Sequence, residues 1–402
     1  MPAPSKQDLE PAARHRWEPA LRGLRAEALD CLQTTVGLLA DDVHGTGTHL
    51  ALGSRWPFPT LRRDGVVRLP PTLQDRLDEA AELLGLRVAA PQGPTDGPGL
   101  RSQLRVTGSL YVVADAYDLP WVPYAGHRHL THSFLVEAVD GGYLVVDAYH
   151  NDTAWGPARP GAWMLSAGGL DRSLGAAALT VAIEPAARPA HDPAAALAAN
   201  AAAAREAGPA IERYAAEMRA GLDRVEVVER LVLDVWLLAR ERLLHRLWLA
   251  DHPTAAEVAA QVDAWQRLAT RSYLALRRAE RGIPPGETLV DELARLLRSD
   301  AALIARLDAM VATGGGDLVV GAVLDALRAT LRLDDRAVRG AAALRALPGF
   351  NSFRLVDVID RVERRLGVEL PAEVAADDLQ DVAGLCRLFA SAVAGRSGAG
   401  AG

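Results

Sequence analysis

The feature that most constrains this chain is a change in hydrophobic pattern near residue 188. Before it, apolar residues fall in short strand-like runs interrupted by Gly, Pro and aromatic residues. After it, they recur every three or four residues in Ala-, Leu-, Arg- and Glu-rich sequence. An alternation of two builds one face of a strand and a period of 3.6 one face of a helix, so neither an all-β nor an all-α fold accommodates the whole chain. With 402 residues there is room for two or three domains at about 100–200 residues each.

The region 1–188 reads as an α+β domain. Asp30 is placed to cap a helix starting at Cys31, with Leu32, Val36 and Leu39 on one face. Strand-like runs follow at Leu110–Asp115, Ser133–Val139, Gly142–Asp147 and Leu179–Ile183. Asp140-Gly141 forms the turn of a hairpin between the second and third. The region 189–312 reads as all-α. Val228, Leu231, Val232 and Val235 keep helical spacing, as do Val258, Val262, Trp265 and Ala269, and Pro253-Thr254 and Pro284-Pro285 separate helices. No chemistry is legible there. Trp236, Trp248 and Trp265 are expected in the core rather than in a pocket. Gly314-Gly315-Gly316 reads as a flexible joint, 317–394 as a compact helical domain, and 395–402 as a disordered tail.

Composition excludes several functions. The formal net charge of -7 argues against nucleic-acid binding. Lys6 is the only lysine, so no phosphate-binding-loop or Schiff-base lysine exists beyond it. The two cysteines, Cys31 and Cys386, are too few and too far apart for a disulfide framework. The N-terminal residues lack the apolar stretch of a signal peptide, and no run of 18 uncharged apolar residues offers a membrane span. The expected location is the cytoplasm.

In the C-terminal region, Gly349-Phe350-Asn351-Ser352-Phe353 precedes a helix with Leu355, Ile359, Val362 and Leu366 on its apolar face, then Gly367-Val368-Glu369-Leu370-Pro371. A preceding helix carries Val320, Leu324, Leu327 and Leu331. A final one carries Val382, Leu385, Cys386 and Phe389, with Cys386 read as core. This pattern closely resembles the acyl and peptidyl carrier family, four-helix domains with a Gly-x-Asp-Ser-Leu-like motif opening the second helix. The resemblance implies that Ser352 receives a 4'-phosphopantetheine from a phosphopantetheinyl transferase. A helix N-terminus suits the phosphodiester, because its free N–H groups and dipole favour an anion. Asn351 replaces the family's usual Asp and Phe353 its Leu. The plainer alternative is that Ser352 only helps to cap a helix.

At the other end, Cys31 sits at a helix start, His132 opens one strand of the hairpin and Asp147 closes the other. A helix N-terminus and a nearby imidazolium both favour a thiolate, and a carboxylate on the far ring nitrogen orients the His. Together with Asp115-Ala116-Tyr117-Asp118-Leu119-Pro120, His129-Leu130-Thr131-His132 and Val145-Val146-Asp147, the stretch beginning Cys31-Leu32-Gln33 resembles the family of butirosin biosynthesis protein H. Those proteins are acyltransferases related to papain-like peptidases and act in antibiotic and other secondary-metabolite pathways. The resemblance implies a papain-like fold with Cys31 as nucleophile, His132 as general base and acid, and Asp147 as the orienting residue. It places Asp115 and Tyr117 in the substrate pocket, with Gln33 assigned there too. The stretch before Cys31 holds no Gln for the oxyanion, which leaves backbone N–H groups or Gln33. His127, His129 and His132 are spaced closely enough to raise zinc, but no fourth ligand pattern accompanies them, and no metal is expected.

The two ends imply a carrier-dependent acyltransferase. Its partners are an acyl-thioester donor, a loading enzyme or separate carrier protein, and an amine acceptor, without nucleic acid or membrane. Hydrolysis through Cys31 by a thioesterase or cysteine peptidase, and a non-catalytic carrier with a docking N-terminal domain, stay open.

Overall fold

A computed structural model describes residues 9–12, 15–61, 67–69, 71–174, 178–249, 255–312, 315–334, 337–338, 341, 343–371, 374 and 376–399. The chain is mixed α+β, with antiparallel sheet in its first part and helices in its last. It divides into two compact units. One comprises Met1–Arg55, Arg68–His191 and Leu243–Trp248, the other Trp56–Val67, Asp192–Arg242 and Leu249–Gly402.

The first unit is organised by a seven-stranded sheet. Its strands are β1 (Glu10–Pro11), β2 (Gln92–Thr95), β3 (Ser109–Asp115), β4 (Thr131–Val139), β5 (Gly142–Asp147), β6 (Gly161–Leu165) and β7 (Ala178–Val181). They lie in the order β1-β6-β5-β4-β3-β7-β2, every neighbour antiparallel. The central strands β3 and β4 are buried along nearly continuous apolar runs, as strands covered on both faces are. Five helices accompany the sheet: α1 (Glu18–Gly23), α2 (Cys31–His44), α3 (Leu73–Leu83), α4 (Gly97–Thr107) and α5 (Ala167–Ser173).

Alternation along β3, β4 and β5 sends Tyr111, Val113, Leu135, Leu144 and Val146 into one core with Val36, Leu38 and Leu39 of α2. Val112, Phe134, Val136 and Val145 are buried outside that cluster, from the other side. Helix α2 therefore packs on one face only, and its first residue, Cys31, lies where the helix meets the sheet. The Asp140-Gly141 turn joins β4 to β5 as expected, with Gly141 at φ +85°, a conformation glycine adopts without strain.

The second unit holds α6 (Pro193–Glu206), α7 (Gly208–Ala220), α8 (Val225–Leu249, apart from Leu243–Trp248), α9 (Ala255–Ala279), α10 (Thr288–Ala312), α11 (Gly315–Leu331), α12 (Ser352–Leu366) and α13 (Val382–Ala399). Val228, Leu231, Val235, Val258, Val262 and Trp265 are all buried, as their spacing requires. Helices α11 to α13 enclose their own core of Leu324, Leu327, Val358, Val362, Leu385, Cys386 and Phe389. Helix α12 ends at Gly367, whose φ of +65° lets its N–H close on Glu363 O at 2.8 Å and turns Val368 back into that core.

Two segments differ in secondary structure from expectation. Gly314 lies outside the described residues, but Gly315 and Gly316 open α11 rather than forming a loop, because the apolar face that starts at Val319 draws the preceding turn into the helix. The expected disordered tail is helical to Ala399, since α13 extends its hydrogen-bond ladder outward from the anchored Leu385 and Phe389. The α6–α10 region is helical as expected, and its interior also holds buried polar pairs. Arg242, fully buried, pairs with Asp300 at 2.6 Å, and Asp300 also accepts from Gln261 and Trp265. Tyr214 donates to the buried Asp234 at 2.5 Å, and burial pushes the Asp234 carboxyl up to about 6.

Candidate active site

Cys31 is the first residue of α2. The Asp30 side chain accepts from Gln33 N at 2.8 Å while the Gln33 side chain accepts from Asp30 N at 3.3 Å, a closed capping box. The cap is buried, and so is its countercharge. Arg76 of α3 bonds Asp30 through Nε at 2.9 Å and its terminal nitrogen at 2.7 Å, and bonds Glu79 at 2.8 Å. Both ends of the Gln33 amide are taken, by Asp30 N–H and by Glu79 at 3.3 Å, and Gln33 is buried. The expected oxyanion and pocket role of Gln33 is thus corrected: its position three residues into the helix turns it toward the cap. The N–H groups of Cys31 and Leu32 remain outside the helical ladder, as first-turn groups do.

His132, on β4 opposite Ala114, is 2 % exposed, and Asp147, at the end of β5, is 3 % exposed. His132 Nε2 donates to Asp147 Oδ2 at 2.7 Å. That leaves Nδ1 on the side of the ring away from Asp147, and the Cys31 side chain is close enough to favour charge on the ring. Trp121 Nε1–H donates to Asp147 Oδ2 at 3.1 Å and Tyr149 N–H to Oδ1 at 2.9 Å, so three donors satisfy a buried carboxylate. Burial opposes charge on His132, but the Asp147 carboxylate and the Cys31 side chain outweigh it and hold the imidazolium pKa up at about 10. The Cys31 thiol also points to Thr131 O, at 3.6 Å. Cys31 is partly exposed, whereas Cys386 is core and burial pushes its thiol up to about 12. Of the two sulfurs, only Cys31 combines access with a partner base.

Asp115 and Tyr117 meet at the end of β3. Asp115 accepts from Tyr117 N and Leu130 N and pairs with His129 Nδ1 at 2.6 Å. Partial burial works against that carboxylate, but these hydrogen bonds keep it below the ordinary range. The Tyr117 ring stacks on His129 at 4.3 Å. Asp115 therefore shapes the loop that leads into His132. The three closely spaced histidines part company: His127 stacks on Trp155, His129 pairs with Asp115 and His132 pairs with Asp147.

Ser352 is exposed and opens α12. Asn351 caps that helix by accepting from Arg354 N at 2.9 Å. Phe353 and Val356, exposed by 84 % and 63 %, lie in the first two turns of the same helix.

Sequence reasoning missed Arg76, Trp121 and Ser133. Arg76 reads as an ordinary polar position of an amphipathic helix, and Trp121 carries no local signal. Ser133 has one, its place directly after His132. No protein-family model matches the chain, and no curated protein matches it. Among the described residues no helix is long and apolar enough to cross a membrane.

Proposed function

We propose that this protein is a carrier-dependent cysteine acyltransferase of papain-like type that forms amides in secondary-metabolite biosynthesis. The observation that carries the reading is a partly exposed thiol at a helix N-terminus, electrostatically coupled to an imidazole that a buried Asp147 holds. The α11–α13 region is read as the carrier domain. Ser352, exposed at the first position of a 15-residue helix, fits phosphopantetheine attachment. When attached, that group supplies a long arm whose terminal thiol holds the acyl group as a thioester.

Cys31, as thiolate, attacks the thioester carbonyl. The N–H groups of Cys31 and Leu32 stabilise the oxyanion, and the His132 imidazolium protonates the departing thiol. The neutral His132 then removes a proton from the acceptor amine as it attacks acyl-Cys31, and the Cys31 thiolate leaves. Asp147 keeps the ring oriented throughout. One thioester and one amine become one thiol and one amide. The exchange between thioesters is nearly isoenergetic and amide formation is downhill, so no ATP is needed at this step. A donor tethered to the same chain reaches about millimolar local concentration.

Intact mass spectrometry tests the scheme. Protein treated with a broad-specificity phosphopantetheinyl transferase and an acyl-coenzyme A is compared with Ser352→Ala and Cys31→Ala. One acyl-pantetheine load that needs Ser352 and a second acyl adduct that needs Cys31 are expected, with the second discharged by an added amine. An adduct discharged equally fast to free acid without amine means a hydrolase. An unmodified Ser352 defeats the carrier assignment.

A further inference from the structure

Four hydroxyls of buried residues surround the first turn of α2. Ser133 Oγ donates to Cys31 O at 2.6 Å. Thr35 Oγ1 and Ser133 Oγ are 2.8 Å apart, and because the Ser133 proton points to Cys31 O, Thr35 is the donor of that pair. The Tyr111 hydroxyl, from β3, donates to Leu32 O at 3.4 Å. Thr34 Oγ1 adds a bond to Cys31 O at 2.9 Å. Ser133 and Thr35 are fully buried and Tyr111 is 1 % exposed.

The placement matters because of strand alternation. Ser133 and Leu135 project toward α2, and Leu135 shares its core. His132 and Phe134 project to the other face, where Asp147 and Trp121 stand. The nucleophile therefore comes from a helix on one face of the sheet and its base from the opposite face, and they meet at the strand's end. Apolar packing between a helix and a sheet is non-directional, so the contacts of Val36, Leu38 and Leu39 do not by themselves set where Cys31 stops along the helix axis. A directional hydrogen bond to the carbonyl of Cys31 itself does.

We infer that Ser133 is a positioning residue, which locks the register of α2 against β4 and so aligns the Cys31 thiol with the imidazole of the adjacent residue His132. This rests on the reading of Cys31 as nucleophile. The charged and titratable groups around that first turn are His132 with Asp147 behind it, Asp30 in the cap, Arg76 and Glu79 of α3, and Tyr111 of β3. Ser133 substitution leaves all of these in place, so a changed pH response reports geometry.

The test is the rate of iodoacetamide alkylation of Cys31 against pH, with melting temperature measured alongside. Wild type is compared with Ser133→Ala, Ser133→Thr, Thr35→Val and Tyr111→Phe, and Cys31→Ser corrects for Cys386. Wild type is expected to react faster at neutral pH than a small-molecule thiol. A register error on the order of 1 Å costs about 100-fold, so Ser133→Ala should lose up to about two decades at neutral pH and approach the free-thiol profile. Ser133→Thr keeps the hydroxyl and should restore the profile. Thr35→Val should lower the melting temperature but keep the wild-type profile. A Ser133→Ala protein with lowered melting temperature and an unchanged profile overturns the proposal and leaves Ser133 structural. Should Ser133→Ala lose its cooperative transition, Tyr111→Phe, nearly isosteric, carries the test, and an unshifted profile there overturns the proposal. A wild-type protein that reacts only like a free thiol defeats the nucleophile reading instead.

Discussion

Cys31 and Ser352 occupy the same local position, the first residue of an α-helix whose preceding side chain caps it. Asp30 accepts from Gln33 N at 2.8 Å and Asn351 from Arg354 N at 2.9 Å, so the two caps nearly superimpose in their chemistry. Their surroundings differ entirely. Around Cys31 stand a buried ion network, a buried imidazole and a buried carboxylate. Ser352 is exposed beside an exposed Phe353. A capped helix start places a side chain and offers N–H groups to an anion. It does not create a nucleophile. That takes a base, and in the proposed scheme the base comes from a strand 100 residues further on, since Cys31 and Thr131 are that far apart in sequence. On the proposed reading the exposed serine is modified by another protein, which needs access rather than activation.

The sharpest way to break this contrast is to exchange the two kinds of loss. Cys31→Ala should lower amide formation by at least about 10³-fold while Ser352 is loaded as before, and Ser352→Ala should abolish loading while Cys31 keeps its alkylation profile, both read by intact mass. Equal loss of both signals in either variant erases the distinction.

Next in size is the cap's own support. Arg76→Met leaves Asp30 and Glu79 buried without their cation, so it should destabilise the first unit by about 3–5 kcal/mol, measured by chemical denaturation. Arg354→Met, at the exposed cap of α12, should stay within about 0.5 kcal/mol. Comparable losses would mean that the two caps are equally embedded.

The third prediction concerns charge. Asp147→Asn keeps an acceptor for His132 Nε2 but removes the anion, so the imidazolium pKa should fall from about 10. The expected drop is about 1–3 pH units in the basic limb of the Cys31 alkylation profile. Stability follows the same sign. Because folding raises the His132 pKa, its contribution is complete below its unfolded value near 6.5 and is lost as pH rises toward about 10. Wild type should therefore lose melting temperature across that window more steeply than Asp147→Asn.

The smallest effect is at the second cap. Asn351→Ala should cost about 1 kcal/mol in α12, while Asn351→Asp keeps the acceptor, adds a charge favourable to the helix dipole, and should change stability by only a few tenths of a kcal/mol. Amide exchange of the first turn of α12 checks both.

Much of this was legible in the sequence. The Asp30 cap, the start of α2 at Cys31, and the strand Gly142–Asp147 coincide with the structure residue for residue. The turn at Asp140-Gly141 and the buried faces of α8, α9, α11 and α12 follow from hydrophobic spacing. Local chemistry governs such features: a cap satisfies N–H groups within three residues, and a period of two or 3.6 is written along the chain. Gly315, Gly316 and residues 395–399 are helical although their composition reads as joint and tail, because each continues a helix anchored by packing further along.

Tertiary structure alone decided the rest. Gln33 was a plausible oxyanion donor until the fold set Glu79 and the cap against its amide. Trp121 and Tyr149 became the donors that satisfy the buried oxygens of Asp147. Arg76 became the cation that makes a buried Asp30 tolerable. Each depends on which distant group arrives at a buried polar atom. Sequence patterns record which residues go inside, because burial follows hydrophobicity residue by residue. They do not record which polar partners meet there, because hydrogen bonds act over about 3 Å and only the assembled sheet brings α2, α3, β4 and β5 that close.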